Sequence, residues 1–228
     1  MATRRRIYLM RHGQVDYFDG RGEPTLPERR SLSAAGRTQA RAAGKLLADA
    51  QVRPDRVIAS DLPRTVETAQ CVLDEMRCDV PVEQWPELRE IKGGTLADIP
   101  EDRLEAEFGA ALSGVADEHA RFLRGETFGS LIDRVHGGIR RLLQDQRWDT
   151  LLMVLHGGVN RTILSYALTG TRMFLGNFQQ APGCINVLDV GSDWVVRAVN
   201  VYPADPAHTR TRATTMEELL EQYRRDRR

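Results

Sequence analysis

Three short strings carry side chains able to bind and attack an anion: Arg11-His12-Gly13, Ser60-Asp61-Leu62-Pro63-Arg64-Thr65 and Leu155-His156-Gly157-Gly158. A histidine at the carboxyl end of a buried strand, between an arginine and a glycine that lets backbone N–H groups approach a ligand, suits nucleophilic attack on an anion. Taken alone, Arg11-His12-Gly13 is equally an ordinary strand-ending loop. Arg64 falls in the first turn of a helix that follows a short apolar strand. A cation there opposes the helix dipole, so its place beside free N–H donors suggests an end that receives phosphate. The competing reading is a solvated arginine on a surface helix. His156 follows five apolar residues and precedes a new helix, which places it at a strand-to-helix crossing, with a hydrogen-bonded core histidine as the alternative. The similar string Val135-His136-Gly137-Gly138 lies inside a helical pattern, so His136 is expected to be a helix residue outside the site.

These side chains need a framework that brings them together. Apolar runs at residues 7–10, 56–60 and 151–155 read as buried strands, with a shorter one at 82–85 and a terminal hairpin from 184–190 and 194–200 around Gly191-Ser192-Asp193. Helical spacing of apolar residues marks 34–50, capped by Ser33, then 63–77, 130–146, 159–168 and a short helix at 216–223. Residues 11–30 form a loop. Strands alternating with helices imply an α/β fold. The domain spans 1–203 with a helical cap insertion at about 92–128, and 204–228 form a charged tail, partly helical or disordered.

Composition sets the outer limits. Lysine plus arginine equals aspartate plus glutamate at 32 each, so no global field favours nucleic acid or an anionic membrane, and any anion site must be local. Residues 1–6 are basic, but arginine and histidine cut off the apolar run after only 7–10, which is not a signal-peptide pattern, and no later run is long enough to span a bilayer. Cys71, Cys78 and Cys184 are odd in number and lack paired spacing, which fits reduced thiols in a cytoplasmic protein. No Walker loop, His-Glu-x-x-His pair or dinucleotide fingerprint is present, so neither a metal nor a cofactor is expected.

The combination is more specific than its parts. Arg-His-Gly near the start, Ser-x-x-x-Arg-Thr-x-x-Thr-Ala after the next strand, Leu88-Arg89-Glu90-Ile91 later and His-Gly-Gly in the second half resemble the histidine phosphatase superfamily, also called the phosphoglycerate mutase-like family. The resemblance implies a three-layer α/β/α sandwich whose mostly parallel sheet carries the site at its carboxyl edge. It makes His12 the nucleophile, Arg11 and Arg64 the phosphate clamps, His156 the second pocket histidine and Glu90 the proton donor, with Glu87 a nearby competitor. Gly13, Gln14 and Gly157 join the phosphate-binding set. The expected reaction is hydrolysis of a phosphomonoester on a small metabolite through phosphohistidine, by an acid-type phosphatase needing no metal, acting alone or as a homodimer. A mutase and a non-catalytic phospho-ligand binder are the alternatives.

This chain departs from the mutase pattern. Val15 and Phe18 stand where many relatives carry a hydroxyl residue and an asparagine, and the insert lacks the paired arginines that hold a mutase substrate's carboxylate. Phosphatase therefore stands ahead of mutase. Arg103, Arg121 and Arg124 remain as cap cations, either solvated or reaching a second anionic group.

Overall fold

The computed structural model describes residues 4–17, 25–110, 112–209 and 212–226. Phe18 lies outside them. Six strands form one sheet: β1 (Arg5–Arg11), β2 (Arg56–Ala59), β3 (Val82–Gln84), β4 (Thr150–Leu155), β5 (Ile185–Val190) and β6 (Trp194–Val201), in the order β3-β2-β4-β1-β5-β6. The first four run parallel, whereas β5 and β6 are antiparallel additions at one side.

Side chains alternate across each strand, and both faces are covered, which is why the strands read as continuous apolar runs. Ile7, Leu9, Leu151, Met153 and Leu155 pack under α4 (Phe128–Gln144) and α5 (Gly157–Thr169). Met10, Val57, Ala59, Leu152 and Val154 face α1 (Ala34–Asp49) and α2 (Pro63–Met76). The result is the expected three-layer sandwich. Ser33 caps α1 through the Gly36 N–H, and Thr127 caps α4, which begins at Phe128 because that hydroxyl accepts from Ser130 N.

Register positions the chemistry. Arg11 of β1 lies opposite Leu155 of β4, and Ala59 of β2 opposite Val154, so the three carboxyl ends finish nearly level. His12, Ser60 and His156 are the next residues on each chain. α5 starts at Gly157, directly after the strand, where a glycine turn was expected before a helix at Val159. The chain crosses from strand to helix with His156 itself as the N-cap residue.

Among the described residues between 92 and 128 the cap holds one α-helix, α3 (Glu101–Ala110), and short 3-10 turns, less helix than the polar pattern suggested. The final helix, α6 (Thr215–Asp226), is longer than expected and opens with a reciprocal cap in which Glu217 N donates to Thr214 Oγ1 and Thr214 N to the Glu217 carboxylate. Its apolar stripe of Met216, Leu220 and Tyr223 packs on Ile99, Leu104, Phe108 and Leu123 of the cap. The tail and cap thus share one small core. No helix among the described residues is long and apolar enough to cross a membrane.

Candidate active site

The three strand ends bring His12, His156, Arg11 and Arg64 into one buried cluster, each no more than 5% exposed. The imidazoles of His12 and His156 meet edge to face with centroids 5.2 Å apart. His12 Nδ1 lies 2.7 Å from the carbonyl of Gly13, an acceptor, so the Nδ1 hydrogen is committed and Nε2 keeps its lone pair. Burial, then the charges of Arg64 and Arg11, hold the pKa of His12 well below its ordinary value. Burial is the larger cause, and the cationic neighbours add to it. His156 is held low in the same way, by burial and then by Arg64, His12 and Arg11.

Ser60 Oγ sits 2.8 Å from His156 Nε2 and 2.9 Å from Thr65 Oγ1, so the far side of that imidazole is tied to the start of α2. His156 Nδ1 and Arg11 Nε are buried and have no hydrogen-bond partner among the described residues. Orphaned polar atoms cost free energy in a packed interior, and an oxyanion between them relieves that cost. Arg11 is aimed by its other end: one guanidinium nitrogen donates to the Gln180 carbonyl and, at 2.9 Å, to Thr215 Oγ1 of the C-terminal helix. Gln180 belongs to a fully buried amide network with Asn160 and Asn186, which also binds the Leu9 carbonyl of β1.

Glu90 comes from the loop between β3 and the cap. Both of its carboxylate oxygens lie 3.1 Å from Gly158 N at the start of α5, and Oε1 also accepts from Ile91 N. A carboxylate at a helix N-terminus is electrostatically favoured. Glu87 pairs instead with Arg141 and does not join the cluster. A Cβ built on Gly157 would touch Arg161 at 3.2 Å, Arg11 Nε at 3.6 Å and Glu90 Oε2 at 3.7 Å, so these groups surround one point. Arg161, missed by motif reading, donates to the Gly157 and Gly176 carbonyls, and burial pushes its pKa down to about 10. Its only sequence signal is a place on the helix one turn beyond His156.

Two expectations change. Gly13 N donates to Thr68 Oγ1 and Gln14 N to Gln39 Oε1, so neither backbone amide is directed at the cluster, and the Gln14 side chain is exposed. Gly13 is needed for a different reason: a Cβ there would lie 2.4 Å from the Gly36 carbonyl, where the loop after β1 seats on α1. In the cap, Arg124 is taken by Glu107 and the Asp98 carbonyl, Arg121 donates to Gly125, and Arg103 is exposed. His136 is buried in α4 and packs on Tyr166, outside the site as expected. Among the described residues, no group of three or more His, Cys, Asp or Glu side chains converges as a metal site would.

Such an arrangement can bind a phosphoryl group between two guanidiniums and present an unprotonated imidazole to phosphorus, with a carboxyl group nearby for proton transfer. Comparison with known proteins agrees. The chain is 30% identical over 141 residues to human 6-phosphofructo-2-kinase/fructose-2,6-bisphosphatase 4, covering 59% of this chain and 27% of that protein. It is 33% identical over 111 residues to a 2,3-bisphosphoglycerate-dependent phosphoglycerate mutase of Bartonella henselae, covering 46% and 51%. The matched regions thus span about a quarter to a half of these relatives. The crystal structure of the alpha-ribazole phosphatase from Shigella flexneri superposes with a TM-score of 0.67 at 25% identity, over 86% of this chain and 96% of that one. The model of the histidine phosphatase superfamily (branch 1) matches residues 7–201, and the chain belongs to that family.

Proposed function

We propose that this protein is a phosphomonoester hydrolase that acts on a small phosphorylated metabolite through a phosphohistidine at His12. The observation that carries this reading is the state of His12: Nδ1 is committed to the Gly13 carbonyl, and burial with two flanking arginines keeps Nε2 unprotonated. Nε2 attacks phosphorus and the bond to the leaving oxygen breaks. Arg11, Arg64 and His156 meet the charge on the equatorial oxygens. The leaving oxygen takes a proton from the Glu90 carboxylic acid. The resulting carboxylate, of the kind the Gly158 and Ile91 amides complement, then removes a proton from the water that cleaves the P–N bond.

Hydrolysis is placed ahead of a mutase reaction because Arg121 and Arg124 are spent on contacts within the cap. The likeness to a phosphatase of 25% identity over nearly its whole length points the same way. Three free cysteines, one of them fully buried, fit a reducing cytoplasmic setting. The test is phosphate release in the presence of a chelator by wild type and His12→Ala, across p-nitrophenyl phosphate, sugar phosphates, phosphoglycerates and nucleotides, with isomer formation followed in parallel. Chelator-resistant release that disappears in His12→Ala is expected. Isomerisation without release would move the assignment to a mutase, and equal rates in both proteins would remove it altogether.

A further inference from the structure

The segment that carries Glu90 is irregular backbone: a 3-10 turn at Pro86–Leu88 ends in extended Arg89. Its carbonyls have no strand or helix to pair with, and buried or half-buried carbonyls need partners. One guanidinium supplies three of them. Arg134, from α4, donates through Nη1 to the Glu87 carbonyl at 2.9 Å and the Arg89 carbonyl at 2.5 Å, and through Nη2 to the Glu90 carbonyl at 3.1 Å. Nε and Nη2 make a bidentate pair with Glu126 at 2.8 and 2.9 Å. Glu126 in turn accepts from Lys92 N at 3.0 Å, and its own N–H donates to the Lys92 carbonyl at 2.7 Å. The pair therefore grips the backbone on both sides of Glu90, while the Glu90 carboxylate is gripped by Gly158 and Ile91. Both side chains are largely shielded, at 23% and 16% exposure. Burial works against the Glu126 charge, but Arg134 and the Lys92 N–H outweigh it and draw its pKa down.

We propose that Arg134, braced by Glu126, is the positioning residue for proton transfer, holding residues 87–92 so that the Glu90 carboxyl stays opposite the leaving oxygen. This rests on the assignment of Glu90 as acid and base. A guanidinium is required because its rigid planar fork reaches three carbonyls and a carboxylate together, which an ammonium on a flexible stem does not.

A role in proton transfer predicts a dependence on the leaving group that a purely structural role does not. Turnover of phenyl phosphate, with a poor leaving group, and of p-nitrophenyl phosphate, with a good one, is measured for Arg134→Met and Arg134→Lys, each also in the Glu90→Gln background, with melting temperatures recorded. Arg134→Met is expected to lower kcat/KM, which reports the step in which the leaving group departs, about 10- to 100-fold more on phenyl phosphate than on p-nitrophenyl phosphate, and Arg134→Lys to show the same selectivity at smaller amplitude. In Glu90→Gln the selective loss is already present, and neither change deepens it. Equal losses on both substrates, or a selective loss that persists in Glu90→Gln, overturn the proposal. If Arg134→Met fails to fold, Arg134→Lys and Glu126→Gln carry the same comparison. Wild-type turnover that survives His12→Ala, or a Glu90→Gln loss blind to the leaving group, would instead overturn the functional reading on which the proposal rests.

Discussion

Replacing Gly158 by alanine adds a Cβ that would meet Glu90 Oε1 at 2.6 Å and Ile91 Cγ2 at 3.3 Å. Gly158 does not adopt a left-handed φ, so the backbone accepts alanine, and the second residue of α5 gains up to about 1 kcal/mol of helix propensity from it. The close contact is with the free end of a side chain. Glu90 must therefore retreat by roughly 0.8 Å to reach ordinary van der Waals separation, stretching its two 3.1 Å contacts to Gly158 N. A reacting group displaced by about 1 Å costs around 10²-fold in rate. Gly158→Ala should therefore melt within about 2–4 °C of wild type, in either direction, while kcat on a poor leaving group falls roughly 30- to 100-fold. Calorimetric unfolding and steady-state kinetics on phenyl phosphate read the two effects separately. Wild-type turnover in a folded Gly158→Ala protein would refute the placement of Glu90 at the reacting centre. A large drop in melting temperature with turnover lost in proportion would refute the view that the side chain, rather than the helix start, absorbs the contact.

Three other perturbations follow from the same geometry. His12 and His156 have folded pKa values depressed below their unfolded ones, so the unfolded chain binds more protons; stability is full above about pH 6.5 and falls as the pH drops toward the folded values, by up to about 1.4 kcal/mol per pH unit for each histidine. Urea midpoints at pH 7, 6 and 5 should show this decline, and His156→Asn should make it shallower; an unchanged slope would refute the contribution. Ser60→Ala strips His156 Nε2 of its 2.8 Å partner, leaving a buried nitrogen unpaired at a cost of about 1–3 kcal/mol, and should lower kcat about tenfold; unchanged kinetics and melting would refute it. A stop in place of Thr214 removes Thr215 from Arg11 and uncovers Leu104 and Phe108, so dye binding to exposed apolar surface should rise and KM should increase about tenfold, whereas wild-type values for both would show that α6 is dispensable.

The strands and helices of the base were legible because each buries a continuous apolar run or a helical stripe, and the motifs sit where those runs stop. Leu151 to Leu155 announce β4, and the residue after them is His156. The start of α5 was misplaced because Gly157 and Gly158 have poor helix propensity; the fold nevertheless uses both, Gly158 N donating to the Glu90 carboxylate and the Gly157 carbonyl accepting from Arg161. The partners of the Gly13 and Gln14 amides were not legible for a related reason, since Thr68 and Gln39 lie on helices elsewhere in the chain. Contacts that aim Arg11 span 169 residues to Gln180 and 204 to Thr215, and nothing local encodes them. The contacts of Arg134 and Glu126 with the backbone of residues 87–92 span 47 residues to Glu87 and 34 to Lys92, and nothing local encodes them either.

A covalent phosphoryl group on His12 is the intermediate to trap, and rapid chemical quench detects it. Wild type and Glu90→Gln are mixed with p-nitrophenyl phosphate, quenched in alkali within the first turnovers, digested and mapped by mass spectrometry. An alkali-stable, acid-labile phosphate is expected on the peptide carrying His12, accumulating further in Glu90→Gln because the water that clears it lacks its base, and absent from His12→Ala. Phosphate on His156 or on no residue at all, with turnover intact, would contradict it.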